Sequence, residues 1–135
     1  MPLGDLENDS MAKILIIAQD QVQIENIQRE LPSERSFRVE TASSGFEAGI
    51  LTESFQPDCV VIDFSIGHIE ASQICMRLRS NESLNGVVLI GLQPSDSSAK
   101  PLSADVVDET FSKPFDAALL AERIRSWVGA KKELV

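Results

Sequence analysis

The sequence predicts an α/β fold, a parallel sheet covered by helices on both faces, and three observations carry that prediction. Continuous aliphatic and β-branched runs stand at Lys13–Ile17 (KILII), Cys59–Ile62 and Val87–Ile90, the pattern of strands buried on both faces. Between them, apolar residues recur at helical rather than alternating spacing. Strand and helix signals then alternate along the whole chain, which argues for right-handed crossovers and an open sheet. At 135 residues, 43% hydrophobic and 24% charged, one domain can bury roughly two-thirds of its unfolded surface without a disulfide or structural metal.

Residues Met1–Ser10 are acidic and small with no apolar period, so a flexible leader is expected over 1–11, and Met11 is itself a candidate start. The domain proper is expected over 12–130, with a tail at 131–135. After the first strand, Val22, Ile24, Ile27 and Leu31 follow helical spacing up to Pro32, and Phe37–Thr41 alternates like a half-buried edge strand. A second helix is predicted from Gly45 to Phe55. After the buried run at 59–62 comes a third, with Ala71, Ile74, Cys75 and Leu78 on one stripe.

The stretch from Pro94 to Asp105 is polar and holds Pro101, so it supports at most a short or broken helix. Thr110–Ser112 forms a short last strand. Asp116 is an N-cap candidate for a final helix burying Ala117, Leu120, Ala121, Ile124, Trp127 and Val128. That helical pattern runs nearly to Val135, leaving no room for an output domain: the expectation is a stand-alone chain or a piece of something longer.

Twelve Lys and Arg against 21 Asp and Glu give a net charge of −9, which repels nucleic acid and anionic lipid. The longest apolar runs fall far short of the roughly 18 residues that cross a bilayer, and the N-terminus has no basic region leading into an apolar stretch. A cytoplasmic protein that touches neither nucleic acid nor membrane is expected. Cys59 and Cys75 match neither a disulfide framework nor zinc spacing and read as buried, reduced thiols.

In doubly wound sheets function gathers at the carboxyl ends of the strands, which here carry Ala18-Gln19-Asp20, Asp63, Gln93 and Lys113. Pro57–Asp63, followed by Lys113-Pro114-Phe115 after a final strand, resembles the receiver (response-regulator) domain of two-component signalling over about 13–128. The resemblance implies a flavodoxin-like sheet in the order 2-1-3-4-5. It places Asp63 at the position of the aspartate that accepts a phosphoryl group from a histidine kinase. Lys113, 50 residues on, matches the lysine that contacts the phosphoryl oxygens. A carboxylate is a competent nucleophile for an acyl phosphate, and a cation offsets the incoming charge.

The departures are equally specific. The family's pair of acidic residues ending the first strand, which hold Mg²⁺ with the phosphoacceptor, is replaced by Ala18 and Gln19. Asp20 and Asp63 remain as a weak metal set at best, because Mg²⁺ demands near-ideal octahedral oxygen geometry. No cofactor, or Mg²⁺ only weakly, is therefore expected. Gln93 stands at the family's Thr or Ser switch, Thr110 at its switch aromatic, and Gly67 where a proline is common. Two unit charges 4 Å apart are worth about 4 kcal/mol at an effective dielectric near 20. Losing the dication beside a phosphorylated Asp63 thus costs roughly a thousandfold or more in rate or occupancy.

Against these functional readings stand plainer ones. Asp63 and Lys113 form a fixed ion pair on this view, and Asp20 is a helix cap. His68 reads as an exposed loop residue without a role. Leu119, off the main stripe of the last helix, could share with Phe111 a face for dimers or partners, although a lone exposed leucine is ordinary. A phosphatase with an aspartyl nucleophile needs a second acid where Ser65 stands, and a nucleotide site needs a glycine-rich loop where Gln19-Asp20-Gln21 stands. A flavin on a sheet of this kind has no phosphate cradle after the first strand.

The sequence thus predicts a non-enzymatic, atypical receiver domain acting as a phosphorylation-independent protein-interaction module. The alternative is a genuine phosphoacceptor at Asp63 with a weakened Mg²⁺ site. The partner expected is a protein, either a histidine kinase or a downstream signalling protein, and a homodimer is left open.

Overall fold

A computed structural model of the protein describes residues 12–31, 37–94 and 106–133. Five parallel strands form one sheet: β1 (Ala12–Ile17), β2 (Phe37–Ala42), β3 (Cys59–Asp63), β4 (Val88–Gln93) and β5 (Glu109–Ser112), in the order β2-β1-β3-β4-β5. This is the expected topology. Among the described residues four α-helices pack against the sheet, α1 (Gln21–Glu30), α2 (Gly45–Phe55) and α3 (His68–Ser80) between strands and α4 (Ala117–Glu133) after the last one. The short or broken helix expected between Pro94 and Asp105 lies, beyond Pro94 itself, outside the described residues, as do the leader at 1–11 and the tail's last two residues. The last helix extends to Glu133, past residue 130.

The strand period of two divides the core. Ile14, Ile16, Cys59, Val61, Ile90 and Leu92 face α1 and α4, where they meet Ile24, Ile27, Leu120 and Ile124. Leu15, Ile17, Val60, Ile62 and Leu89 face α2 and α3, against Ala48, Ile74, Cys75 and Leu78. Every residue of β3 is buried because the strand has helices above and below and strands on either side. β2 and β5 are edges, and their burial is correspondingly broken. Cys59 and Cys75 lie on opposite faces with the sheet between them. Burial pushes the Cys75 thiol up to about 11 despite the opposing charge of Arg79.

Three expectations are corrected. Val22 is not part of the buried stripe of α1 but 66% exposed. It lies five residues before Ile27, whereas Gln23, one full turn before Ile27, is half-buried. Ala117 and Trp127 are half-buried rather than buried, and the Trp127 indole N–H donates to Glu109 Oε1 at 2.7 Å. His68 is not a loop residue: it opens α3, exposed, with its ring 5.5 Å from that of Phe64. Gly67, which precedes it, has φ 132° and ψ 122°, a conformation closed to proline and strained for any residue with a Cβ.

Candidate functional site

The alternation that points Val61 at α1 and α4 points Asp63 the same way, at the carboxyl end of the central strand. The residue is 2% exposed. Among the described residues three donors meet its carboxylate. Lys113 Nζ and Gln23 Nε2 both donate to Oδ2, each at 2.8 Å, and the Ser65 backbone N–H donates to Oδ1 at 2.9 Å. The Lys113 ammonium also donates to Ser65 Oγ at 3.0 Å. Burial by itself would raise the carboxyl. The Lys113 hydrogen bond, those from Ser65 and Gln23, and the lysine's charge outweigh burial and hold Asp63 below the usual aspartate value.

Each partner is positioned by backbone. Lys113 follows β5 directly, and its N–H donates to the Gln93 carbonyl at 3.0 Å, which ties it to the end of β4; its bond to Pro114 is cis. Ser65 belongs to a turn of 3-10 helix over Phe64–Ile66 that Asp63 itself caps. Gln23 sits in the first turn of α1. Asp20 caps that helix, with Oδ1 accepting from the N–H groups of Val22 at 3.1 Å and Gln23 at 3.3 Å. The cap reading of Asp20 and the Asp63–Lys113 ion pair are thus both present in the structure.

The other residues singled out in the sequence take no part in holding Asp63 through any contact just described. Ala18 is fully buried and offers only a methyl group. Gln19 is exposed and donates to the Ser43 carbonyl at 3.3 Å. Gln93 is half-buried and contributes its carbonyl to Lys113, while Thr110 is exposed on β5. Phe111 packs on the core and stacks edge-on against Phe115, 6.4 Å between centroids, and Leu119 stands 48% exposed.

The donor set does not fit Mg²⁺. A hard dication needs several oxygens in octahedral array; this pocket aims an ammonium and an amide N–H at one oxygen of its buried carboxylate. Among the described residues no group of three or more His, Cys, Asp or Glu is placed to hold a metal.

Sequence reasoning missed Gln23 and the positive role of Ser65. For Ser65 a signal existed: an aspartate followed two residues later by a small polar residue is a common side-chain-to-backbone turn. For Gln23 the signal was its place one turn before Ile27, a polar side chain on the inward stripe.

Comparison with known proteins agrees with this architecture. A family model described as the response regulator receiver domain matches residues 14–125. Response regulator MprA of Mycolicibacterium vanbaalenii is 31% identical over 115 residues, covering 84% of this chain and 49% of that protein. The MprA of Mycobacterium avium is 30% identical with 84% and 50% coverage. The chain therefore spans about half the length of the curated relatives it matches. Among solved structures, a response regulator receiver modulated diguanylate cyclase from Pelobacter carbinolicus superposes with TM-score 0.70 at 26% identity, over 92% of this chain and 97% of that one. The chemotaxis response regulator CheY4 of Vibrio cholerae gives TM-score 0.70 at 17% identity, over 87% and 98%, a likeness of fold alone.

Proposed function

Given that the chain belongs to the response regulator receiver domain family of two-component signalling, we propose that it acts as an atypical receiver, a protein-interaction module whose state is not set by phosphorylation. The observation that carries this reading is the Asp63 carboxylate itself, buried and bonded by Lys113, Gln23 and the Ser65 N–H, with Ala18 and Gln19 where the family keeps acids. Phosphorylation would have to displace donors from that oxygen, place a dianion in a buried pocket and do so with Lys113 as the one cation facing it among the described residues. That balance is unfavourable by several kcal/mol at any effective dielectric near 20.

The partner is another protein, a histidine kinase or a downstream component, since a net charge of −9 disfavours nucleic acid and anionic membranes. No helix among the described residues is long and apolar enough to cross a membrane, and we assign the protein to the cytoplasm. We assign it no enzymatic activity of its own.

A second reading has one observation in its favour, the retention of an aspartate at the end of β3 with a lysine 2.8 Å away: Asp63 is then a working phosphoacceptor with a weak Mg²⁺ site. Intact mass after incubation with acetyl phosphate and Mg²⁺, beside the Asp63→Asn variant, separates the two. The expected result is no stoichiometric gain in either protein; a gain of one phosphoryl group in the parent alone establishes the second reading.

A further inference from the structure

A cleft between α1 and the β5–α4 connection is lined by Asp20, Val22, Gln23, Asn26, Lys113 and Phe115, among others. Asp63 is not in its wall. The two side chains that are, and that reach inward to the carboxylate, are Gln23 and Lys113, and both end on the same oxygen at 2.8 Å. A reagent coming from this cleft meets the amide and the ammonium before it meets the carboxylate.

The two donors are not equivalent. A lysine beside a nucleophilic carboxylate offsets the charge a phosphodonor brings, and so can assist the reaction that it shields. A carboxamide brings no net charge. On Oδ2 it only occupies a lone pair that an attack from that oxygen needs, and it must be displaced before a phosphorus atom can come within bonding range of Oδ2. Its placement is firm: Asp20 holds the Gln23 backbone N–H at 3.3 Å while the side chain spans 40 residues of sequence to Asp63.

We propose that Gln23 is a latch on the receiver pocket, a positioning residue of α1 whose amide keeps Asp63 Oδ2, the oxygen that also meets Lys113, unavailable to phosphodonors over and above the absence of acids at positions 18 and 19. The proposal rests on the reading of Asp63 as the family's acceptor position and adds a reason for its quiescence that the family pattern does not contain. It assigns Asp20 a second role as well, since the cap that starts α1 also aims the latch.

The reaction that reads the latch is attack of an Asp63 carboxylate oxygen on the phosphorus of acetyl phosphate. An O–P bond forms, the P–O bond to the acetyl group breaks, and acetate leaves with its electron pair. Initial rates with radiolabelled acetyl phosphate and Mg²⁺ are compared for the parent, Gln23→Ala, Gln23→Ser, and the double variant Gln23→Ala with Asp63→Asn. Folding of each is checked by Trp127 fluorescence and thermal melting. The expected result is labelling of at least one folded Gln23 variant about tenfold or more faster than the parent, or above the detection limit where the parent shows none, and loss of that gain in the double variant. Tenfold is what removal of one hydrogen bond to a charged acceptor is worth. A purely structural role for Gln23 predicts no such gain.

Folded Gln23 variants that label no faster than the parent overturn the latch and leave the phosphorylation-independent reading standing. Stoichiometric labelling of the parent overturns that reading instead, and the latch with it only if the Gln23 variants are no faster. A gain that survives in the double variant places the label elsewhere and also overturns the latch.

Discussion

Asp63 joins a buried ion pair with Lys113 to hydrogen bonds from Gln23 and the Ser65 N–H on one carboxylate. Its folded carboxyl is held below the ordinary aspartate value of 3.8, so it contributes stability that is fully present above that value and lost as pH falls through the folded one. Near neutral pH the ion pair with Lys113 is intact. Replacing Lys113 by Met leaves a buried carboxylate with one fewer donor and no counter-charge, and should cost about 1–3 kcal/mol at pH 7. The carboxyl also rises toward its unfolded value in that variant, so the stability lost on acidification below the ordinary value of 3.8 should be smaller than in the parent. Urea unfolding of both proteins from pH 3 to pH 7, roughly the span over which aspartates titrate, reads both effects. An equal loss of stability on acidification in the two proteins would show that the pair does not set Asp63.

At the scale of elements, the helix starts carry much of the local order. Ser44 Oγ accepts from the Glu47 N–H at 3.2 Å at the head of α2, and Asp116 Oδ1 accepts from the Ala118 N–H at 2.9 Å at the head of α4. Asp20 does the same for α1. Asp20→Ala should lower stability by about 0.5–2 kcal/mol through the lost cap, measured as a shift in the urea midpoint at unchanged slope. If the cap also aims Gln23, this variant should label faster with acetyl phosphate than a Ser44→Ala variant of similar stability.

The turn into α3 is set by Gly67, whose added Cβ would meet, among the described residues, only Glu70 Cβ, at 3.8 Å. The obstacle to substitution there is φ rather than space. Gly67→Ala should cost about 1–3 kcal/mol, and Gly67→Pro more, since its ring fixes φ near −65°. Equal melting temperatures for the parent and Gly67→Ala would refute the backbone argument. β5 is tied to α4 by Glu109, which accepts from Arg123 Nε at 2.9 Å and from Trp127, a link between an edge strand and the last helix that no apolar pattern encodes.

For the molecule as a whole, the two-sided burial of the sheet decides what a substitution costs. Ile62 is fully buried on the α2 and α3 face, while Phe46 is 80% exposed on α2. Ile62→Ala should destabilise by about 2–5 kcal/mol, as expected where a core side chain is cut back to a methyl group. Phe46→Ser should lie within about 0.5 kcal/mol of the parent. Thermal unfolding of the pair tests whether α2 is an outer layer as the fold requires; a large loss on Phe46→Ser would mean that its outer face is covered in solution.

Burial periodicity is a local property of a chain, and so the sequence alone determined the strands, their parallel arrangement, the α3 stripe of Ala71, Ile74, Cys75 and Leu78, and the identity of the residues that end the buried runs. Caps are local too, which is why Asp20 and Asp116 could be read. What surrounds Asp63 is not local. Gln23 lies 40 residues before it and Lys113 lies 50 after; the lysine was legible only because a family pattern marks it, and no family pattern marks the glutamine. An apolar-stripe reading of α1 took Val22 inward, because hydrophobicity ranks valine above glutamine. The tertiary structure reversed that choice, because Gln23 stands one turn from Ile27 on the face that the sheet covers. A polar side chain is admitted there because a buried carboxylate needs its donor.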